Sequence, residues 1–464
     1  MRSRKKLSHA MHLSSTLFVS SAASLTADKL SREASEGRSS VLIAAEQTNV
    51  GRAVFVSSRI TRHMGSFLDK CWTKAEEDQH SPKDQREVIR FFMVGTGAAG
   101  KTTVIRQLRC LCKERPNSYK VYDEDWNRIP IDQIFSNAEM AHFRRIIQNN
   151  ITTAIYNLIK QSSEWGHECQ CPKSAEAIVS AVESAGTHPF AMSVPASLKV
   201  DLLEVFRDEN ITATLHIHHR MARKWRIEDG TLKFLSEPQI ERLFDENAEL
   251  TSTDIVHLRY PTTGVQDFRF SIKDTYIQIH DMGGQPTEMM QIPVFMQEWI
   301  ASDQEGYKNY LLFVTSMADF NVEDEEEPSR TAMERSIRIL DRILGVSTIN
   351  SCGVLIFYNK QDRFDSVVTK LEETTEGRDE LIRYLGEALS AEAKRKIKEG
   401  SCPLEPMREA IAVKYDYVIN QRRKGKRVYA RYTQAVDPKI MADIFNMIKS
   451  EIIDHYITNI TFPI

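Results

Sequence analysis

Two hydrophobic patterns alternate along the chain from residue 87 onward. Short runs of consecutive apolar residues predict strands that are buried on both faces of a sheet. These runs lie at residues 88–94, 268–272, 276–280, 310–315, 354–358 and 428–432. Between them, apolar residues recur at helical spacing, as in 102–113 and in a last helix predicted at 439–456. The alternation predicts an α/β fold, with a mostly parallel six-stranded sheet covered by helices on both faces.

One long segment departs from this alternation. Residues 114–251 carry helical periodicity with few strand signals, for example at Ile147, Ile151 and Ile155. We therefore predict an inserted all-helical domain at 114–251, within which the Ser-, Gly-, Pro- and Cys-rich stretch 161–195 is irregular. The sheet domain then comprises the chain on either side of the insertion.

The first 63 residues have a different composition from the rest. They begin with a cluster of basic residues, are rich in serine, and contain no acidic residue before Asp28. A mitochondrial transit peptide and a signal peptide are both open alternatives for such a start, but the pattern favours a disordered extension at 1–63. We predict an N-terminal helix at 64–86, whose first residue, Met64, is a candidate alternative start of translation.

The composition excludes several classes of protein. The 61 Lys and Arg residues against 64 Asp and Glu residues give a formal net charge of −3, which excludes a strongly basic nucleic-acid-binding protein. No apolar run is long enough to predict a transmembrane helix, so membrane association would need an anchor or a partner. Seven scattered cysteines favour free thiols in a reducing compartment. We interpret the basic run 421–427 as a solvated loop. The alternative is that this run binds anionic lipid or nucleic acid.

Two clusters of residue types that can bind metals occur in the predicted helical insertion. They lie at residues 167–171, which read His-Glu-Cys-Gln-Cys, and at residues 216–219. Neither cluster has a matched partner pair at the spacing of a zinc site. The sequence alone therefore does not predict a metal site at either place.

The first chemical motif lies between a predicted strand and a predicted helix. Residues 95–102 read GTGAAGKT, which fits the phosphate-binding pattern GxxxxGK[ST] in the structural context that this pattern requires. Its backbone N–H groups and the following helix N-terminus can face phosphate oxygens. We expect Lys101 to reach the β- and γ-phosphates and the Thr102 hydroxyl to bind Mg²⁺. The other expected nucleotide-binding residues of this loop are Gly97, Ala98, Ala99, Gly100 and Thr103.

The second motif identifies the base. Asn359, Lys360 and Asp362 form an NKxD sequence directly after an apolar strand. The Asp362 carboxylate can accept hydrogen bonds from guanine N1–H and from its exocyclic amine, while the Lys360 stem covers the ring. Adenine lacks this pair of donors and would leave a buried carboxylate unpaired. The motif therefore predicts guanine rather than adenine.

Two further segments supply candidate Mg²⁺ ligands and catalytic groups. Asp281 ends a predicted strand and can hold Mg²⁺, Gly284 can donate its backbone N–H to the γ-phosphate, and Gln285 can orient the attacking water. Upstream, Arg259 can stabilise charge on the transferring phosphoryl group, and Thr262 can place a second hydroxyl on Mg²⁺. The predicted metal ligands are Thr102, Thr262 and Asp281, and the predicted catalytic residues are Arg259 and Gln285.

Taken together, these segments resemble the α subunits of heterotrimeric G proteins. The resemblance extends from about residue 87 to the C-terminus and includes a helical insertion between the phosphate loop and Arg259. Residues 432–437 resemble the last guanine-contact loop of that family, in which Ala435 would donate a backbone N–H to the base. The resemblance implies a Ras-like GTPase domain at 87–113 and 252–464. It also places further residues at the nucleotide: Asp229, Val256, His257 and Leu258.

The resemblance further implies a signalling role. Such a protein binds GDP or GTP with Mg²⁺, hydrolyses GTP slowly and transmits a signal to an effector that the sequence does not identify. A seven-helix receptor would promote exchange at the C-terminal tail, and a β-γ dimer would bind the GDP form. The implied location is cytoplasmic, at the inner face of the plasma membrane, and the sequence offers no case for a nucleic-acid partner.

Several positions depart from the family pattern. Ala98 stands where the family usually has a glutamate that pairs with the loop of the catalytic arginine. Pro286, Met289 and Ile292 replace an arginine, an arginine and a tryptophan of the switch helix, which helps to grip the β-γ dimer. These departures predict altered coupling to the dimer. They also motivate an alternative hypothesis, a nucleotide-binding scaffold or decoy with impaired cycling or impaired β-γ binding.

Overall fold

A computed structural model of the 464-residue chain describes residues 87–185, 194–260, 265–283, 292–301, 306–324 and 326–461. The predicted disordered extension at 1–63 and the predicted N-terminal helix at 64–86 lie outside these residues. Both therefore stay predictions.

The described strands form a single seven-stranded sheet. They are β1 (Val88–Val94), β2 (Tyr119–Tyr122), β3 (Val265–Ile272), β4 (Thr275–Met282), β5 (Tyr307–Ser316), β6 (Gly353–Asn359) and β7 (Val428–Tyr432). Their spatial order is β2-β3-β4-β1-β5-β6-β7. The pairs β1–β4, β1–β5, β5–β6 and β6–β7 are parallel, whereas β2–β3 and β3–β4 are antiparallel. The predicted α/β fold with a mostly parallel sheet is confirmed.

The prediction of six strands was one strand short. The additional strand is β2, whose four residues pair with the C-terminal half of β3 at the edge of the sheet. Its sequence, Tyr-Lys-Val-Tyr, alternates buried and half-buried side chains and is too short to give a clear periodic signal. Pairing with a neighbour that lies more than 140 positions away in sequence is what makes this segment a strand.

The described helices surround the sheet and fill the long connection between β2 and β3. In chain order they are α1 (Lys101–Glu114), α2 (Asn137–Glu164), α3 (Pro172–Ser184), α4 (Leu198–Phe206), α5 (Glu209–His216), α6 (Asp229–Leu232), α7 (Glu237–Leu243), α8 (Ser252–His257), α9 (Ile292–Ala301), α10 (Ala332–Leu344), α11 (Gln361–Glu372), α12 (Thr375–Leu385), α13 (Ala391–Lys398), α14 (Leu404–Arg422) and α15 (Pro438–Thr461). Among them, we find no helix with the length and apolar character needed to cross a bilayer.

The segment predicted to be irregular contains a 13-residue helix, α3. Pro172 lies at the start of this helix, where a missing backbone N–H breaks no helical hydrogen bond. Ala175 and Ile178 are buried against the neighbouring helices. Proline therefore marked the start of a helix here, although the surrounding composition indicated a loop.

Helices cover both faces of the sheet because every residue of β1 is buried. On one face, Phe91 and Met93 belong to the same apolar cluster as side chains of α1 and α15. On the other face, Phe92 and Val94 belong to a second cluster that includes residues of α9, α10, α11 and α14. A strand with apolar side chains in both directions can lie only in the middle of such a layered structure.

Helix α2 is the longest helix of the insertion and organises the helices around it. Its N-terminus is capped by Ser136, whose hydroxyl accepts a hydrogen bond of 3.1 Å from the backbone N–H of Glu139. Ile147, Ile151 and Ile155 recur at four-residue spacing and are fully buried in a cluster shared with α3, α4, α5 and α7. The amphipathic pattern of α2 thus corresponds to a real buried face.

Six of the seven residues of the basic run 421–427 are exposed, which agrees with the interpretation as a solvated loop, whereas Arg423 is buried. Arg422 is the last residue of α14, and its guanidinium forms an ion pair of 2.6 Å with Asp341 of α10. Arg423 is buried and donates to the carbonyl oxygens of Ile349 and Cys352 at 3.1 and 2.6 Å. These contacts anchor the turn between α14 and β7.

The packing of α15 against the sheet gives a stability prediction. Phe445 is fully buried, with its ring centroid 6.0 Å from that of Phe270 and 6.1 Å from that of Phe357. We expect Phe445→Ala to lower the free energy of unfolding by about 3–5 kcal/mol, because it leaves a cavity between α15 and the sheet. Urea unfolding followed by circular dichroism measures this loss.

Met447 on the same helix provides the control, since its side chain is 45% exposed. Met447→Ala is expected to change stability by less than about 0.5 kcal/mol. Equal losses in the two variants would contradict the packing described for α15.

Candidate functional site

The loop between β1 and α1 has a backbone shape that depends on small residues. Gly95 lies so close to β5 that a Cβ atom there would be 2.0 Å from the Val314 carbonyl oxygen. Ala98 and Gly100 have left-handed φ angles of 62° and 102°. Left-handed residues in a tight loop turn successive N–H groups toward one side, which creates a concave site for anions.

Lys101 and Thr102, the first two residues of α1, connect this loop to the sheet. The Lys101 ammonium is buried and donates to the carbonyl oxygens of Gly95 and Thr96 at 2.8 and 3.0 Å. The Thr102 hydroxyl donates to Asp281 Oδ2 at 2.9 Å. Asp281 is fully buried near the end of β4, which pairs with β1, so the parallel pairing of the two strands brings the residues together.

The Asn359 side chain connects three loops at the ends of β1, β6 and β7. Its Nδ2 donates to the Ala99 carbonyl oxygen of the phosphate loop at 2.8 Å. Its Oδ1 accepts hydrogen bonds of 3.0 Å from the Thr433 hydroxyl and from the backbone N–H of Ala435. A Cβ atom at Gly100 would be 2.2 Å from Asn359 Nδ2, so the amide also requires glycine at that position.

The rest of the NKxD sequence turns from β6 into α11. Lys360 has a left-handed backbone (φ 60°, ψ 40°) and precedes the first residue of that helix. The Gln361 backbone N–H donates to the Thr433 carbonyl oxygen at 3.2 Å. Asp362 therefore lies in the first turn of α11, where the helix dipole stabilises a carboxylate.

These loops open onto one cleft of about 220 Å³. The predicted residues that line it are Gly97, Ala98, Gly100, Lys101, Thr102, Thr103, Val256, His257, Leu258, Arg259, Asn359, Lys360, Asp362 and Ala435. Asp281 is joined to this group through Thr102, and Ala99 is buried beneath the loop. The structure therefore brings the predicted phosphate, base and arginine segments around a single cavity.

For four predicted residues, the side-chain position lies outside the part of the chain that the structure describes. Thr262, Gly284 and Gln285 lie outside the described residues. The side chain of Asp229 also lies outside them, although its backbone forms the start of α6. Their expected roles stay predictions.

The sequence interpretation missed seven residues that line the cleft: Arg106, Glu228, Gly230, Lys233, Tyr260, Arg363 and Val436. Arg106 could have been found, because it lies four residues after Thr102 and therefore on the same face of α1. Arg363 directly follows the NKxD sequence. Glu228, Gly230 and Lys233 come from the helical insertion, and no local motif marks them.

The cleft has a predominance of positive charge. Among the described residues that line it are six cationic side chains, against the two carboxylates of Glu228 and Asp362. Burial lowers the pKa of Arg106 and that of Arg363 to about 10, so both guanidinium groups remain charged at neutral pH. Such a cavity favours a multiply charged anion.

The segment that carries Arg259 is held from two sides. The Arg106 guanidinium of α1 donates to the Leu258 carbonyl oxygen at 2.8 Å. From α2, the Asn150 amide accepts from the Arg259 backbone N–H at 2.9 Å and donates to the Arg259 carbonyl oxygen at 3.1 Å. Both the sheet domain and the helical insertion thus fix this arginine at the cleft.

Helix α8, which precedes Arg259, is fixed by charge and by a capping box. Thr251 caps the helix and exchanges hydrogen bonds with Asp254 in both directions. The buried Asp254 carboxylate also pairs with both terminal nitrogens of Arg242 at 2.7 and 2.9 Å. Burial lowers the pKa of His257 at the end of this helix, which favours a neutral ring there.

Glu228 provides a carboxylate for Arg259. Its Oε2 lies 3.8 Å from Arg259 Nε, and both side chains are partly exposed to solvent. The family resemblance assigned such a pairing to a glutamate at the position of Ala98. In this chain the carboxylate comes instead from the helical insertion, across the cleft from the phosphate loop. An exposed pair of this kind contributes positioning more than binding energy.

Asp324, Glu326 and Glu327 contact one another and the arginines of α10. The Asp324 carboxylate accepts from the backbone N–H groups of Glu326 and Glu327, at 2.9 and 2.8 Å. Arg335 pairs with Glu326 at 2.7 Å, and Arg338 pairs with Glu327 at 2.9 Å. These three acidic residues therefore have defined partners within their own turn and on α10.

Comparisons with known proteins agree with this geometry. The family model described as "G-protein alpha subunit" matches residues 69–452. The guanine nucleotide-binding protein alpha-8 subunit of Dictyostelium discoideum is 24% identical over 334 residues, which cover 71% of this chain and 74% of that protein. The guanine nucleotide-binding protein subunit alpha-15 of Mus musculus is 22% identical over 381 residues, which cover 82% of this chain and 90% of that protein.

The Asn359 contacts generate a stability prediction for the site. Asn359→Ala removes three buried hydrogen bonds, each of which contributes about 1 kcal/mol net. We expect the free energy of unfolding to fall by about 2–4 kcal/mol. Asn321→Ala is the matched control, because that amide makes one part-buried hydrogen bond of 2.8 Å, to Glu380. Chemical denaturation measures the free energy of unfolding of both variants. Equal losses of this free energy in the two variants would contradict the prediction.

Proposed function

The chain belongs to the family of G-protein alpha subunits, and on this premise we propose that it is a switch driven by GTP binding and hydrolysis. The family is one of guanine nucleotide-binding proteins in signal transduction, and the two relatives named above are both described as guanine nucleotide-binding proteins. The observation that carries the proposal is the convergence of the phosphate loop, the NKxD loop and the Arg259 segment on one cationic cleft.

The guanine-binding part of the proposal rests on Asn359. Because this amide holds Ala435 and the phosphate loop with one set of hydrogen bonds, the proposed base and phosphate subsites would have a fixed separation. Asp362, in the first turn of α11, would accept hydrogen bonds from guanine, and Lys360 would cover the ring. The backbone N–H of Ala435 would face the exocyclic oxygen of the base.

The site fits Mg²⁺ as well. The Thr102 hydroxyl and the Asp281 carboxylate are oxygen ligands, 2.9 Å apart, beside a loop suited to phosphate. These two residues and Thr262 would hold the ion. When bound, Mg²⁺ neutralises charge that develops on the phosphate oxygens.

Hydrolysis would depend on positioned charge. Arg259 lines the cleft and is fixed through its backbone by Asn150, so its guanidinium can stabilise negative charge on the transferring phosphoryl group. Gln285 is proposed to orient the attacking water. The buried ammonium of Lys101 would face the β- and γ-phosphates, and the phosphate loop would exclude bulk water.

The partners of the proposed switch follow from family membership. We propose a seven-helix receptor that acts at the C-terminal tail, an effector, and association with the inner face of the plasma membrane. We also propose that a β-γ dimer binds the chain, with coupling weakened by the replacements at Pro286, Met289 and Ile292.

Binding of a β-γ dimer tests this part of the proposal. The chain is mixed with the dimer in the presence of GDP or of a non-hydrolysable GTP analogue. Nucleotide-insensitive binding would favour a scaffold over a switch.

Nucleotide selectivity tests the base assignment. We expect the protein to bind a fluorescent GTP analogue in the presence of Mg²⁺, with competition from GTP and GDP and none from ATP. Asp362→Ala should weaken GTP binding about 10–100-fold, because it removes hydrogen bonds to a charged acceptor. Asp365→Ala is the control, since that carboxylate pairs with Arg408 at 2.9 Å. Equal competition by ATP and GTP would contradict the assignment of guanine.

Single-turnover hydrolysis of bound GTP tests the catalytic roles. Arg259→Cys and Gln285→Leu should each slow the reaction by on the order of 10²-fold or more while GTP binding is retained. Arg207→Cys serves as the control, because Arg207 forms an exposed ion pair with Glu237 in the helical insertion. Unchanged rates in both catalytic variants would show that the roles are wrong. A wild-type protein that binds GTP without hydrolysing it would support the scaffold hypothesis.

A further inference from the structure

A compact group of metal-ligand atoms lies in the helical insertion. Cys169 and Cys171 belong to the connection between α2 and α3, and Asp208 precedes α5. The two sulfur atoms are 3.2 Å apart, and they lie 3.5 and 3.9 Å from Asp208 Oδ2. Among the described residues, these three form a group whose ligand atoms are all within 4.8 Å of one another. None of the three lines the nucleotide cleft.

The distances resemble one face of a tetrahedral coordination sphere. With Zn–S bonds of about 2.3 Å and a Zn–O bond of about 2.0 Å, tetrahedral angles give S···S and S···O separations of about 3.8 and 3.5 Å. The observed S···O separations of 3.5 and 3.9 Å lie at or within about 0.4 Å of this value. The sulfur atoms would need to move apart by about 0.6 Å to reach the tetrahedral spacing.

The Asp208 carboxylate is fixed in place before any ion binds. It is 7% exposed, and its Oδ1 accepts from the backbone N–H groups of Asn210 and Ile211 at 2.9 and 3.3 Å. Its Oδ2 accepts from the Gln170 backbone N–H at 2.6 Å. Hydrogen bonds of this kind to a ligating carboxylate orient it and limit the entropy lost on metal binding.

We propose that Cys169, Cys171 and Asp208 form a binding site for a thiophilic divalent cation of the Zn²⁺ class. Two thiolates and a carboxylate supply three ligands, and water completes the tetrahedron. The site would join the connection between α2 and α3 to the turn between α4 and α5, and would thereby stabilise the helical insertion. It differs from the Mg²⁺ site in ligand chemistry, because Mg²⁺ prefers oxygen.

A bound cation would displace the protons of both thiols and bind the resulting thiolates. Its charge would also offset the repulsion between these thiolates and the Asp208 carboxylate.

The test uses the full chain with bound GDP and Mg²⁺, under a reductant that does not bind metals. Titration with Cd²⁺ should give a thiolate-to-metal charge-transfer absorption that saturates at one ion per chain and is reversed by Zn²⁺. Cys169→Ser and Cys171→Ser should each remove most of this absorption. Asp208→Asn, which keeps a good helix N-cap, should weaken Cd²⁺ binding at least tenfold.

Cys402→Ser is the control, because Cys402 is a free, buried cysteine elsewhere in the chain. This variant should keep the absorption and the rise in melting temperature that Zn²⁺ gives the wild-type protein. Circular dichroism checks that each variant is folded, and the melting curves keep the test valid if a cysteine variant is less stable. The proposal is overturned if the double variant Cys169→Ser/Cys171→Ser still binds one Cd²⁺ ion, or if the reduced wild-type protein binds none.

Discussion

The candidate site depends on the hydrogen bonds of one amide, that of Asn359. Its donor holds the phosphate loop through Ala99, and its acceptor holds the Thr433 hydroxyl and the Ala435 backbone N–H. All of these atoms are buried, so any change that breaks one bond leaves a polar group without water. The glycine-rich loop after β1 and the loop after β7 are therefore held together through one side chain.

The second wall of the cleft depends on contacts between the two parts of the fold. Asn150 in the helical insertion brackets the backbone of Arg259, and Arg106 in the sheet domain binds the preceding carbonyl oxygen. Glu228 adds a carboxylate from the insertion. Separation of the helical insertion from the sheet domain would break the contacts of Arg259 with Asn150 and with Glu228 at the same time. The position of Arg259 therefore depends on the two sides of the cleft staying together.

Much of the fold was predictable because its signals are local. The buried run of β1, the glycine-rich loop and the amphipathic α1 follow one another within a short stretch, and each has a pattern of its own. The edge strand β2 was missed because four residues carry too little periodicity, and α3 was missed because its composition is that of a loop. In both cases the deciding interactions are with residues that are distant in sequence.

The sequence by itself identified the residue types that meet at the candidate site, since Lys101, Thr102, Asp281 and Asp362 belong to local motifs. Only the tertiary structure decided which groups complete it. Glu228 reaches Arg259, and Cys169 and Cys171 reach Asp208, because helices of the insertion pack in a particular order. A motif records neighbours along the chain, whereas burial, charge pairing and ligand geometry depend on neighbours in space.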